Sequence, residues 1–116
     1  MTNEFLQKWK SQIKRGTLSF IVLKEINGKE LYGYEIIENI KKRTGIEVAE
    51  GTLYPLMNRL KKETLLDSKW VEQKTGIPRK YYFLTKEGEI MLANMQEYWN
   101  DLEKSINSYH YDLRKN

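Results

Sequence analysis

The sequence predicts a mainly α fold with a small β-hairpin, on three observations. Apolar residues recur at helical spacing along most of the 116 residues. The exception is residues 66–84, where β-forming side chains crowd two short runs separated by a turn-forming stretch. Gly, Asn and Pro fall between the periodic segments, where a helix has to stop or start. A hydrophobic content of 40%, with three Trp, eight Tyr and three Phe, is enough to fill one core, and the length is too short for two.

The elements follow in order. Asn3 to Ile26 carries Phe5, Leu6, Trp9, Ile13, Leu18, Phe20, Ile21, Leu23 and Ile26 mostly at helical spacing, which makes a long helix with a weak point, and an expected bend, at Gly16. Asn27-Gly28-Lys29 ends it, because Gly and Asn tolerate the left-handed backbone of a helix C-cap. The next helix runs from Tyr32 to Arg43 with Ile36, Ile37 and Ile40 inward and a basic last turn facing the negative end of the dipole; Gly45 stops it. Ile46 to Ala49 is a linker that could also pair as a short strand.

The third helix holds Leu53, Leu56, Met57 and Leu60 at i, i+3, i+4 and i+7, a stripe that buries one side. Pro55 has no N–H, so the helix should begin near Glu50 to Thr52, with Pro55 within about its first turn. Leu66 to Gln73 and Arg79 to Leu84 then form a hairpin around Lys74-Thr75-Gly76-Ile77-Pro78. Tyr81, Tyr82 and Phe83 alternate across the second strand, so at least one is core. Thr85 caps a final helix, with Glu87 and Glu89 in its first turn. On it Met91, Met95, Tyr98, Leu102, Ile106, Tyr109 and Leu113 follow a near-heptad seam, and Leu92, Trp99, Ile106 and Leu113 add a row spaced by seven. So wide an apolar stripe needs a partner surface, for which a second copy of the chain is the natural choice, with Phe5, Leu6 and Trp9 closing the other side.

Charge narrows the function. The formal net charge is +4; residues 1–84 hold 16 Lys and Arg against 10 Asp and Glu, whereas residues 85–116 hold 4 against 6. The basic excess lies around the third helix and the hairpin and favours a polyanion as partner. With no Cys and a single His110, which lacks a companion at ligand spacing, thiolate sites are excluded and neither metal nor cofactor is expected. No nucleophile, acid–base pair or phosphate-cradling Gly loop points to an enzyme. No apolar run is long enough to span a membrane, and Met1-Thr2-Asn3-Glu4 lacks a signal-peptide layout, so the expected location is the cytoplasm.

Helix, helix-turn-helix, two-stranded wing and terminal helix make a winged helix-turn-helix domain over residues 1–84 plus a C-terminal dimerisation helix over residues 85–116. The outer side of the third helix offers Thr52, Tyr54, Asn58, Arg59, Lys61 and Lys62 to double-stranded DNA, joined by Tyr34 on the preceding helix. Arg59 has an alternative partner in Glu63 at i+4. Tyr54 either gives its hydroxyl to a phosphate or packs beneath its own helix. Lys74, Arg79 and Lys80 on the wing are expected at phosphates or the minor groove.

Gly33-Tyr34-Glu35-Ile36, Gly51-Thr52-Leu53-Tyr54-Pro55 with Arg59-Leu60, Arg79-Lys80-Tyr81-Tyr82 with Leu84-Thr85 and Gly88, and Arg15-Gly16-Thr17-Leu18 together resemble the PadR family of bacterial transcriptional regulators. The motifs span residues 15–88. The resemblance implies a homodimer that binds a palindromic operator, usually as a repressor, and releases it on a small-molecule or other signal. Smaller members have a short terminal helix like this one, and some bind planar aromatic drugs between two Trp residues at the dimer interface. Trp99 falls near that position, with Met95, Trp9 and Ile13 as further candidate effector contacts, and Trp99 as a plain core residue is the alternative. The sequence departs from that subgroup at Met91 and Met95, which are bulkier than an open pocket favours. A dimer interface of Phe5, Leu6, Met91, Tyr98, Leu102, Ile106 and Tyr109 completes the expectation. Two other readings use the same features without specific DNA binding: a winged-helix module for an acidic protein partner, and a multidrug-binding dimer.

Overall fold

The computed structural model describes residues 2–109, so Leu113 and His110 lie outside the described residues. Four helices and one small sheet follow the chain order α1 (Thr2–Ile26), β1 (Leu31–Tyr32), α2 (Gly33–Thr44), α3 (Glu50–Lys62), β2 (Leu66–Val71), β3 (Arg79–Leu84) and α4 (Lys86–Asn107).

α1 is one continuous helix through Gly16. Its second half belongs to the core, with Val22, Leu23 and Ile26 buried, whereas residues 3–16 are all exposed. It ends as expected at Gly28, whose φ of +76° lets Lys29 N–H reach the Ile26 carbonyl at 2.9 Å.

Leu31 and Tyr32 form a strand that the sequence did not announce, because two residues are too few to show a period. They pair antiparallel with Tyr82 and Tyr81 and make the sheet three-stranded, in the order β1-β3-β2. Tyr32 is consequently the N-cap of α2 and not its first residue, and its N–H donates to the Glu35 carboxylate at 3.2 Å. Gly45 closes α2 at φ +75°, donating to the Lys41 carbonyl at 2.8 Å. Residues 46–49 are no strand; Val48 is instead buried in the core.

In α3 the four predicted positions, Leu53, Leu56, Met57 and Leu60, are buried. Pro55 corrects the expectation, because it sits at the sixth helical position, past the first turn. A proline there leaves the Gly51 carbonyl without its helical donor; Gly51 is exposed, so water can take that place. The chain reverses at Thr64, which has φ +64°, while Leu65 N–H bonds the Leu60 carbonyl at 3.0 Å.

β2 stops at Val71, two residues short of the predicted Gln73, and pairs with β3 from Leu66↔Leu84 to Val71↔Arg79. Gly76 turns the tip at φ +86°. Of the three alternating aromatics Tyr82 is the core residue, with Tyr81 and Phe83 half-buried. Thr85 caps α4 as predicted: its Oγ accepts from Gly88 N–H at 3.0 Å and donates to the Thr64 carbonyl. Gly88 lies so close to Leu65 that a Cβ would come 2.0 Å from that carbonyl oxygen.

The core gathers Val22, Leu23, Ile26, Leu31, Ile36, Ile40, Leu53, Met57, Leu66 and Tyr82 from every element but α4, which adds Leu92. One carboxylate is buried beside it: Glu25 is held by Lys29 at 3.2 Å and Arg43 at 3.4 Å, tying α1 to α2. Beyond Leu92 and the half-buried Met95, the seam of α4 is bare. Met91, Tyr98, Trp99, Leu102, Ile106 and Tyr109 are exposed, as are Phe5, Leu6, Trp9 and Ile13 on α1. Among the described residues no helix is long and apolar enough to cross a membrane.

Candidate nucleic-acid interface

α3 presents three sides. Its buried stripe faces the core, and directly opposite stand Gly51, Pro55, Asn58 and Lys62, all exposed. Tyr54 and Lys61 form the edge toward the wing, and Thr52 and Arg59 the edge away from it. The first turn lacks a side-chain cap, since the N-cap is Ala49. Its leading N–H groups therefore face outward with the positive end of the dipole.

Tyr54 joins the recognition candidate to the rest of the domain. Its ring lies over Gly33 at the start of α2, where a Cβ would meet Oη at 2.1 Å and Cζ at 2.7 Å. The ring is thus packed against α2, not beneath its own helix, and 38% of the residue remains exposed. Tyr82 lies behind it; burial, and secondly the neighbouring Tyr54, push the Tyr82 hydroxyl above its ordinary pKa of 10.0.

The remaining candidates divide. Asn58, Arg59 and Lys62 are exposed, and Arg59 forms no ion pair with Glu63 or any other of the described residues. Lys61 instead turns to the root of the wing, where Nζ donates to Ser68 Oγ at 2.8 Å and stands 4.0 Å from the Asp67 carboxylate. Tyr34 is exposed and stacks on Tyr32, with ring centroids 6.4 Å apart.

On the wing Lys74 is exposed near the tip, and Lys80 hangs over Trp70 at 5.6 Å and Tyr82 at 5.9 Å. Arg79 is engaged within the fold: its guanidinium lies 4.4 Å over the Tyr32 ring, which also meets Tyr81 edge-on at 5.5 Å. Tyr32 and Trp70 are the two members of this surface that sequence reasoning missed. Trp70 is 68% exposed and stands opposite Lys80 in register, so the alternation of β2 carried a signal for it; Tyr32 had none, because its role depends on β1. Together Tyr32, Tyr54, Asn58, Trp70, Arg79 and Lys80 border a cleft of about 450 Å³ between α3 and the wing. It offers an amide donor and acceptor on Asn58, cations on Arg79 and Lys80, and aromatic faces between them.

The effector candidates lie elsewhere. Trp99 and Met95 line an apolar groove of about 420 Å³ between α1 and α4, with Phe20 at 5.8 Å from the Trp99 ring centroid. Met91 and Met95, bulkier than an open pocket favours, both line it. Trp9 and Ile13 do not reach it; they stand further up the exposed face of α1. Among the described residues no group of His, Cys, Asp and Glu could hold a metal ion.

Known proteins share this architecture. A PadR-like transcription factor from Bacteroides fragilis is 38% identical and superposes with a TM-score of 0.76, over 89% of this chain and 99% of its own. A PadR family transcriptional regulator from Eggerthella lenta is 32% identical with a TM-score of 0.83, over 91% of this chain and 92% of its own. An uncharacterised protein of Lysinibacillus sphaericus is 33% identical over 102 residues, which are 86% of this chain and 94% of that protein. Residues 22–94 match the model of the transcriptional regulator PadR-like family, from the buried half of α1 through the wing and into α4. That match covers well over half of the chain, and with it the protein belongs to the PadR-like family of transcriptional regulators.

Proposed function

We propose that the protein binds double-stranded DNA as a homodimer and represses from a palindromic operator, in the cytoplasm. The observation that carries this reading is the outer side of α3, where Asn58 and Lys62 are exposed on a helix buried only along its opposite stripe. A helix so held fits a major groove, with Asn58 suited to the paired donor and acceptor of an adenine edge and Lys62 and Arg59 to phosphates. Tyr54 presents its exposed part beside them. Lys74 and Lys80 add contacts from the wing that carry affinity and little sequence choice. Residues 1–84 act as the DNA-binding unit and α4 as the dimerisation helix, assisted by Phe5, Leu6 and Trp9.

Titration of a selected duplex over a range of salt tests the reading. Tight binding with a steep salt slope is expected. Asn58→Ala should relax sequence choice at one position, costing about 1–3 kcal/mol there. Lys74→Ala should weaken every sequence alike. Equal losses on all sequences from both changes would remove Asn58 from the base-reading role. Absence of any duplex complex at physiological salt would leave the protein-binding winged helix standing.

The groove between α1 and α4 favours a second, compatible role. Its apolar lining and the Phe20 and Trp99 rings suit a planar hydrophobic effector, whose binding would release the operator if it prefers a different spacing of the two heads. Quenching of Trp fluorescence by a planar aromatic cation, coupled to weaker duplex binding, is the expected result.

A further inference from the structure

We infer that α1 supplies a second row of DNA-backbone contacts, on the side of α3 away from the wing, through Lys14 and Arg15. The inference rests on the duplex-binding reading above.

α1 has two opposed faces in its exposed half. Phe5, Trp9 and Ile13 step along one, and Lys8, Ser11 and Arg15 step along the other, with Lys14 beside them. The second face continues inward as Leu18 and Val22, which pack into the core, so it is the side of α1 turned toward the body of the domain. It does not close on that body. A cleft of about 380 Å³ separates it from the segment that leads into α3, with Ser11, Lys14 and Arg15 on one wall and Ala49 and Thr52 on the other.

Lys14 and Arg15 are exposed and form no ion pair among the described residues. The acidic group on the opposite wall, Glu47, is engaged by Lys41 at 3.4 Å, and Glu50 lies in the first turn of α3. Both cations are exposed on the wall of an open cleft and are therefore available to an anion.

Position selects the anion. Thr52 on the far wall lies with Arg59 on the edge of α3 opposite the wing, so the cleft opens beside the helix proposed to enter the groove. A major groove is flanked by two phosphate strands. The wing attends to one; Lys14 and Arg15 stand where the other passes, completing a bracket around α3. Contacts of this kind position the duplex and add affinity without reading bases.

The test is the salt dependence of binding by the full chain to a random-sequence duplex, which needs no knowledge of the operator. Lys14→Gln/Arg15→Gln should flatten the plot of log K against log salt by about 0.9 for each phosphate that the variant no longer neutralises. Preference among sequences should stay as in the wild type. Ser11→Lys adds a cation to the same row and should steepen the plot, which keeps the test decisive if the double variant folds poorly. If the wild type binds steeply and all three plots coincide, α1 has no such role while the duplex reading survives. If the wild type itself shows no duplex complex, the duplex reading fails first.

Discussion

Gly33 and Tyr54 are best understood as one unit. The tyrosine ring occupies the space where any side chain at position 33 would start, and this contact sets how α3 sits against the beginning of α2. Gly88 has a different neighbour, the backbone carbonyl of Leu65. A flexible side chain can swing away, whereas a carbonyl moves only with its loop. Gly88→Ala is therefore expected to cost on the order of 2 kcal/mol in denaturant unfolding, and Gly33→Ala less. Duplex affinity should reverse the order relative to stability, because Gly33→Ala displaces Tyr54 from the proposed interface. If Gly33→Ala binds as the wild type does, Tyr54 has no part in recognition. Arg79 teaches a similar lesson: as a sequence position it is one more basic residue of the wing, and only β1 reveals that it lies on Tyr32.

Elements were legible where period and punctuation agreed. α2 and α3 start and stop within a residue or two of where Gly45 and the apolar stripes require, and α4 starts at the Thr85 cap, but it ends at Asn107, before Tyr109 of the predicted seam. β1 was not, because its identity comes from pairing with a strand far along the chain and not from its own two side chains. The contacts of Lys61 were illegible for the same physical reason, since Ser68 and Asp67 reach it only after the chain has reversed at Thr64. Pro55 shows the limit of a local rule: the missing donor is tolerated a turn later than expected where the orphaned carbonyl is wet. The cap of α4 gives a measurable case. Thr85→Ala removes both the acceptor for Gly88 N–H and the donor to the Thr64 carbonyl, and should lower unfolding free energy by about 1–2 kcal/mol. Thr85→Ser should recover most of it; equal loss in both variants would mean that the methyl and not the hydroxyl matters.

Across the whole molecule, the apolar faces of α1 and α4 are the part left uncovered. Phe5 is 75% exposed and Tyr98 67%, on helices whose buried portions lie elsewhere. Exposed apolar residues in this number call for a partner, and the seam read from the sequence runs through them. Leu102→Glu/Ile106→Glu should convert the proposed dimer to monomer in sedimentation equilibrium, with the melting of the α1–β3 core little changed. A wild-type protein that sediments as a monomer at micromolar concentration would remove the dimer from the proposal, and with it the palindrome.

β3 links these parts in series. Its amino end carries the wing, its edge holds β1 at the head of α2, and it runs into α4 with only Thr85 between strand and helix. Thr85 is hydrogen-bonded on both sides, to the turn before β2 and to the first turn of α4, so the junction is tied at both ends. The wing and the terminal helix therefore lie at the two ends of one strand, and a partner that rotates α4 is expected to move the wing.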